Sequence, residues 1–436
     1  MPISDLENSL KEAGYLDAVD VAMNRSLGPP ESLDRLGAIL ANLALKKSNT
    51  CIKVGYNEFR EIRSDPALLD CFEKAGIFFE ELARSLDGHC FNKNLIYQNG
   101  LLSFRKTFLE ERVVARFFSD EQEEPSDEMW RNAKSMFRVL FENVPPDKMV
   151  AKQAVATLLA GVVSRLILTG GPGTGKTFTT TNMLWMMIAT GTTALCETQR
   201  WRVALAAPTG KAATRLRDAI EVRFWGLLEK LPIPVSVDMT ATTLHRLLGL
   251  NAYGRVSVGP HKPLPYDIVV VDELSMASLD LVAALLHGLA NHTRLIFVGD
   301  PNQLPSIQPG NVMSDLCDNE VLKRFHSVEL VQHLKDLLLV SDVSSTFQKR
   351  ADLITHLEQT RRFQADSGIG VLARIFQMQD EPTVKDMLSQ AEMHQYADLS
   401  WFSEQEAKHT FLRMGVAQAV QMCELMLRGD VSAAFE

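Results

Sequence analysis

The chain is poor in the features of a secreted, membrane-spanning or zinc-stapled protein. Its six cysteines stand far apart, at positions 51, 71, 90, 196, 317 and 423. None has Cys-x-x-Cys or zinc-like spacing, so neither a disulfide framework nor a structural zinc site is expected, and reduced thiols of a cytoplasmic protein are. The start, Met1-Pro2-Ile3-Ser4-Asp5-Leu6-Glu7, has no basic stretch leading into an apolar one, so no export signal is legible. The longest apolar stretch, residues 154–168, is broken by Ser164 and Arg165. It falls short of the roughly 20 apolar residues that a membrane helix needs, and no membrane partner is expected. Positive charge is scarce too: 45 Lys and Arg stand against 54 Asp and Glu, a net charge of −9. That argues against a broad basic face for nucleic acid but leaves room for a narrow single-strand groove. No internal repeat or low-complexity segment is present.

What the chain does have is a glycine-rich loop. Residues 170–177 read Gly170-Gly171-Pro172-Gly173-Thr174-Gly175-Lys176-Thr177, directly after the apolar run Leu166-Ile167-Leu168. Gly170, Gly173 and Gly175 can adopt backbone angles closed to other residues, which turns the loop's N–H groups toward phosphate oxygens. Lys176 would reach the β- and γ-phosphates, and Thr177 would place its hydroxyl on Mg²⁺. A helix expected to start near Gly175 adds its positive dipole end. The loop therefore predicts binding of a nucleoside triphosphate, ATP or GTP, with Mg²⁺.

Around this loop the chain reads as several segments. Residues 1–118 look like a separate, mostly helical unit, with helical spacing over 6–23, 32–45 and 110–118. A β-hairpin over 95–104 is centred on Asn99-Gly100, the pair that supplies the positive φ angles of a tight turn. No catalytic constellation appears there, so an interaction domain is expected. The acidic, proline-bearing stretch 119–128 reads as a solvated linker, followed by a helix over 129–141 and a break at Pro145-Pro146. From residue 153 short β-rich runs (166–169, 203–206, 268–271, 295–298 and 327–330) alternate with helical segments. That alternation predicts an α/β fold: a parallel sheet covered on both faces, with ligands outside the C-terminal strand ends. Another unit is expected from 336 to 436.

Polar clusters sit at those strand ends. Val269-Val270-Val271 delivers Asp272 and Glu273, a carboxylate that can hold Mg²⁺ and one that can deprotonate the attacking water. The next strand runs into Gly299-Asp300-Pro301-Asn302-Gln303-Leu304-Pro305, where Gln303 could touch the γ-phosphate and report hydrolysis to a moving part. Gln153, seventeen positions before the loop, could read an adenine edge through its amide.

Several further segments, in this order, resemble superfamily 1 helicases. Ala207-Pro208-Thr209-Gly210-Lys211-Ala212-Ala213 and Thr243-Leu244-His245-Arg246-Leu247-Leu248-Gly249 fall between the loop and the box Asp272-Glu273-Leu274-Ser275-Met276. Gly299 to Pro305 and the pair Arg361-Arg362 with Phe363 follow, then Asp366-Ser367-Gly368-Ile369-Gly370. Together they resemble the RecD-type alpha subunits of bacterial exodeoxyribonuclease V, most specifically over residues 153–370. The resemblance implies a RecA-like P-loop motor domain over 119–335, preceded by an interaction domain (1–118) and followed by part of a second RecA-like domain (336–436). It implies an ATP-driven motor moving 5′ to 3′ on single-stranded DNA, assembled with RecB- and RecC-type subunits, acting at DNA ends in double-strand break repair. Pro208, Thr209, Lys211, Thr243 and His245 match positions that contact the strand. Read without the family, Thr243 and His245 better suit a helix cap and a packed histidine. Arg362 matches the arginine that reaches the γ-phosphate, with Arg361 leaving that register open by one position.

Further motifs of the family's second motor domain are absent before Glu436, so the chain reads as a truncated or split version whose coupled unwinding is in doubt. No glycine-bearing helix–hairpin–helix turns appear in 1–118, which favours the subunit form over free-standing relatives. A nucleotide-binding module that does not translocate, and a free-standing or RNA helicase of the same superfamily, remain as alternatives. No carboxylate–lysine cluster suggests a nuclease site.

Overall fold

The computed structural model describes residues 3–357 apart from internal stretches, the longest being 120–124, 143–150, 193–198, 318–325 and most of 328–352; beyond 357 it describes Ser367 alone. The chain divides into two units, Met1–Gln359 and Thr360–Glu436, and all described residues except Ser367 belong to the first. Among the described residues no helix is long and apolar enough to cross a membrane.

The N-terminal part opens with two helices, α1 (Ile3–Glu12) and α2 (Ala18–Leu27), where the apolar spacing over 6–23 suggested continuity. Gly14, at φ +80°, ends the first. Asp17 starts the second: its carboxylate accepts from the N–H groups of Val19 and Asp20, and the Asp20 carboxylate returns to the Asp17 N–H. Helix α3 (Leu33–Lys46) begins on a Ser32 cap close to the expected position. A buried ion pair between Glu7 and Arg35 ties α1 to α3 inside this core. A short strand β1 (Ile52–Lys53) and helices α4 (Pro66–Lys74) and α5 (Phe79–Leu86) follow. The expected hairpin is present as β2 (Leu95–Gln98) and β3 (Leu101–Phe104), with Asn99 at φ 54° and Gly100 at φ 77°.

Helix α6 (Arg105–Ser119) leads out of the hairpin and into the core of the main sheet. Its last turns bury Val114 and Phe118, and the Phe118 ring centre lies 5.7 Å from that of Phe297. A helix that the sequence assigns to the first domain thus contributes to the core of the second. Helix α7 (Asp127–Phe141), capped by Ser126, and helix α8 (Ala151–Leu159) precede the sheet.

The main sheet has six strands, all parallel, in the order β11-β4-β8-β7-β5-β6. Its strands are β4 (Arg165–Gly170), β5 (Gln199–Ala207), β6 (Val235–Thr243), β7 (Ile268–Val271), β8 (Arg294–Gly299) and β11 (Ile354–Leu357). Leu166, Leu168, Val203, Leu205, Val270 and Ile296 pack toward α7, α8, α9 (Lys176–Gly191) and α10 (Gly210–Leu228). Ile167, Ala204, Val269, Val271 and Phe297 pack toward α6, α11 (Leu244–Leu247), α12 (Leu279–Gly288) and α13 (Val312–Cys317). In the central strands β4, β8 and β7 alternate residues are buried on opposite faces, so these strands read as nearly continuous apolar runs.

Four of the expected strands coincide with β4, β5, β7 and β8. Of the fifth, 327–330, only Ser327 is described: it lies in β9 (His326–Ser327), which pairs in parallel with β10 (Ser345–Thr346), and 328–330 lie outside the described residues. Two strands have no counterpart among those expected. β6 alternates inward and outward residues, the pattern of an edge strand with one solvated face. β11 lies beyond residue 335, so this sheet draws on residues past the expected boundary.

Candidate functional site: a phosphate loop at the C-terminal sheet edge

The phosphate loop joins β4 to α9 and has the backbone that its glycines imply. Gly170, Gly173 and Gly175 sit at φ 157°, 76° and 87°. A Cβ on Gly170 would come within 2.7 Å of Thr174 Oγ1 and 2.8 Å of the Leu357 carbonyl oxygen, and one on Gly175 within 2.6 Å of Gln153 Nε2. Gly171 and the exposed Pro172 form the outer turn. Thr174 is turned inward, its hydroxyl donating to the Gly171 carbonyl at 2.9 Å. Gly175 caps α9, whose first residues are Lys176 and Thr177. The N–H groups of that first turn and the helix dipole favour an anion at the loop. The Lys176 ammonium lies back over the loop, donating to the carbonyls of Gly170 at 2.6 Å and Gly171 at 2.9 Å.

Gln153 is buried in α8, and its Nε2 donates to the Thr174 carbonyl at 3.1 Å. The structure therefore gives this amide a bracing contact with the loop, where the sequence suggested a base edge. The reason is packing: Gly175 lacks the Cβ that would fill this space.

Sheet order brings the other expected residues alongside. β8 lies directly beside β4, and β7 beside β8. Their C-terminal ends therefore place Gly299–Gln303 and Asp272-Glu273 next to the loop. Burial pushes the Asp272 carboxyl up to about 6; the neighbouring Glu273 charge adds to the rise, while a backbone hydrogen bond from Glu273 and the Lys176 charge oppose it. Glu273 takes a left-handed backbone, φ 54°, uncommon for a residue with a side chain. It leads into a 3₁₀ turn, Leu274–Met276, against which Gly299 packs: a Cβ there would stand 3.3 Å from the Leu274 nitrogen. Asp300 is buried; its carboxylate accepts from the Asn302 N–H at 3.0 Å and its carbonyl from the Gln303 N–H at 3.1 Å. That turn leaves Gln303 exposed at the end of β8.

The residues expected to meet DNA lie along the same edge, on the far side of β7. Pro208 and Thr209 follow β5, and Thr243 ends β6, whose register sets it opposite Ala207. Both threonines cap helices: Thr209 accepts from the Ala212 N–H at 3.3 Å and Thr243 from the Arg246 N–H at 3.2 Å. Lys211 and His245 are exposed in the first turns of those helices, so His245 is not a packed core histidine. Arg361 and Arg362 lie outside the described residues.

One residue with a clear structural hold on the site escaped the sequence reading. Arg294 opens β8, and its guanidinium donates to the carbonyls of Ala160 (2.7 Å), Val163 (3.0 Å) and Met187 (2.9 Å), with Thr190 Oγ1 at 3.4 Å. It joins the end of α9 and the turn after α8 from the N-terminal side of the sheet. Burial lowers its pKa to about 10. A single arginine before an apolar strand carries no signal of this in the sequence.

Comparison with known proteins agrees with this arrangement. Residues 151–309 match a family model described as an AAA domain. The chain is 31% identical over 381 residues to the RecBCD enzyme subunit RecD of Haemophilus influenzae, covering 80% of this chain and 57% of that protein. It is 42% identical over 171 residues to the same-named subunit of Mycolicibacterium smegmatis, covering 38% of this chain and 30% of the relative. A third likeness, 37% over 191 residues, is to the ATP-dependent RecD2 DNA helicase of Deinococcus radiodurans, with 40% of this chain and 23% of the relative covered. The chain thus spans under two thirds of the length of these relatives. With a phosphate loop, an Asp-Glu strand end and a glutamine-bearing turn on three adjacent parallel strands, and with these likenesses, the chain is similar to the RecD-type superfamily 1 helicases.

Proposed function

We propose that the chain is the ATP-driven motor subunit of an exodeoxyribonuclease V-type complex, moving 5′ to 3′ on single-stranded DNA. The observation that carries this reading is the sheet edge itself. The ends of β4, β8 and β7 assemble a nucleotide site, and the ends of β5 and β6 continue the edge with exposed cationic and hydroxyl groups. Phosphates would lie on the loop N–H groups of residues 170–177 and on Lys176. Thr177 and Asp272 are hard oxygen donors at the start of α9 and the end of β7, which suits Mg²⁺. The metal, when bound, neutralises charge on the phosphate oxygens.

Glu273 is the proposed base for water, Gln303 the γ-phosphate contact and Arg362 the arginine that stabilises developing charge. Gln153, besides bracing the loop, is kept as the proposed reader of the adenine edge. Pro208, Thr209, Lys211, Thr243 and His245 would meet the sugar–phosphate backbone of the strand. Residues 1–118 would dock on RecB- or RecC-type partners, the first motor domain would run from residue 119 through β11 rather than stopping at 335, and the residues beyond it, up to 436, would belong to a second. The name borne by the Haemophilus and Mycolicibacterium relatives supports the partner assignment.

The test is ATP turnover by the full chain assembled with its partner subunits, with and without single-stranded DNA. DNA should stimulate turnover, and Lys176→Ala or Glu273→Gln should abolish it. Turnover indifferent to DNA would refute the motor reading.

A further inference from the structure

Strand β11 ends against the first residue of the phosphate loop. It has four residues, and β4 is its partner in the sheet. The register sets His356 opposite Thr169 and Leu357 opposite Gly170. Thr169 is fully buried, and its hydroxyl lies 2.6 Å from His356 Nδ1. One position on, a Cβ at Gly170 would stand 2.8 Å from the Leu357 carbonyl oxygen and 3.0 Å from its Cβ. The missing side chain thus lets the end of β11 close directly onto the loop.

So short a parallel edge strand has little ladder of its own to hold it in place. Its flanking residues, Ile354 and Leu357, are buried but apolar, and apolar contact is non-directional. A hydrogen bond between side chains in register is directional. A slip of the strand along β4 would separate the two groups, so the bond selects one register. The threonine hydroxyl can donate or accept, so it answers either tautomer of the imidazole.

We infer that His356 is a positioning residue: through Thr169 it pins β11 in register on the phosphate-loop strand, so that nucleotide held by the loop also orders β11. In the sequence Arg361 and Arg362 follow Leu357 by four and five positions. The pinned strand thus precedes the proposed γ-phosphate arginine closely in the chain, and the inference rests on the nucleotide-site reading above.

The experiment is amide hydrogen exchange of residues 354–357 in the full chain, with and without saturating Mg·ADP, alongside nucleotide affinity. In the wild type, Mg·ADP should slow exchange of these amides by about tenfold. Thr169→Val and His356→Ala should each remove most of that slowing while changing affinity for Mg·ADP by less than about threefold, because neither touches the phosphates. The double variant should be no worse than either single, the signature of one shared interaction. His356→Asn, whose amide can reach the Nδ1 position, should restore most of the effect. Slowing that persists in both single variants overturns the inference. So does an affinity loss that tracks the exchange change without rescue by asparagine, since that marks simple packing. A wild type that binds Mg·ADP and orders β11 but shows no DNA-stimulated turnover would sink the motor reading and leave this one standing. A wild type that binds no nucleotide overturns both.

Discussion

Asp272 should make the nucleotide-free chain less stable than it could be, and replacing it should show this. Its carboxyl moves from 3.8 to about 6 because it is largely buried beside Glu273. A folded pKa above the unfolded one means that stability is present at low pH and lost as pH rises through about 6. Worked through linkage, the ionised carboxylate costs about 3 kcal/mol at pH 7.5 and about 1 kcal/mol at pH 4.5. Asp272→Asn removes the charge and keeps the shape. The buried amide needs hydrogen bonds of its own, which takes back part of the gain, so a net stabilisation of about 1–2 kcal/mol is expected at pH 7.5. At pH 4.5 the difference should nearly vanish.

Trp185 and Trp201 are buried in the core against the six-stranded sheet, so their fluorescence during urea unfolding reports on the relevant unit. Mg·ADP should reverse the ranking. At about 100 times its dissociation constant it stabilises a competent site by about 2.7 kcal/mol. The asparagine variant should lose the Mg²⁺-dependent part of that gain. An asparagine variant less stable than wild type at pH 7.5, or a difference that does not change between the two pH values, would show that burial of Asp272 is not what raises its pKa.

Other substitutions test separate parts of the arrangement. Arg294→Met keeps the apolar stem but strands three carbonyl acceptors, and should cost about 3 kcal/mol in urea unfolding with little dependence on pH between 5 and 9. Glu273→Gly relieves the left-handed backbone and should stabilise the chain by about 1 kcal/mol. Glu273→Gln keeps that backbone and should instead leave nucleotide affinity intact while lowering turnover by about 10²-fold or more in single-turnover assays. Gly175→Ala meets both the +87° φ and the Gln153 amide, so its thermal midpoint should fall. Adding Gln153→Ala should recover only the steric part of that loss.

Much of the site was legible in the sequence because its chemistry is local. The loop glycines, Lys176 and Thr177 act within eight consecutive residues, and their spacing is set by the reach of backbone N–H groups around a phosphate. The same holds for the Asn99-Gly100 turn and for the apolar runs that became β4, β5, β7 and β8. Where one local signal outweighed another, the reading slipped. Apolar spacing over 6–23 hid the break at Gly14 and the Asp17 cap, and the threonine-rich stretch before His245 hid the alternation of β6.

By itself, then, the sequence determined a glycine-rich loop between strand and helix, a strand ending in Asp272-Glu273 and the parallel α/β class, since each follows from residue types at fixed short spacing. Only the tertiary structure decided which strands are neighbours. The order β11-β4-β8-β7 brings Gln303, Asp272 and Glu273 beside the loop and sets His356 against Thr169, 187 residues away. It also turned Gln153 from a free amide into a brace and Arg294 from one more charge into a tie between two helices. Such contacts depend on how separate strands stack in one sheet, and a periodic pattern along the chain records which face a residue takes but not what will stand opposite it.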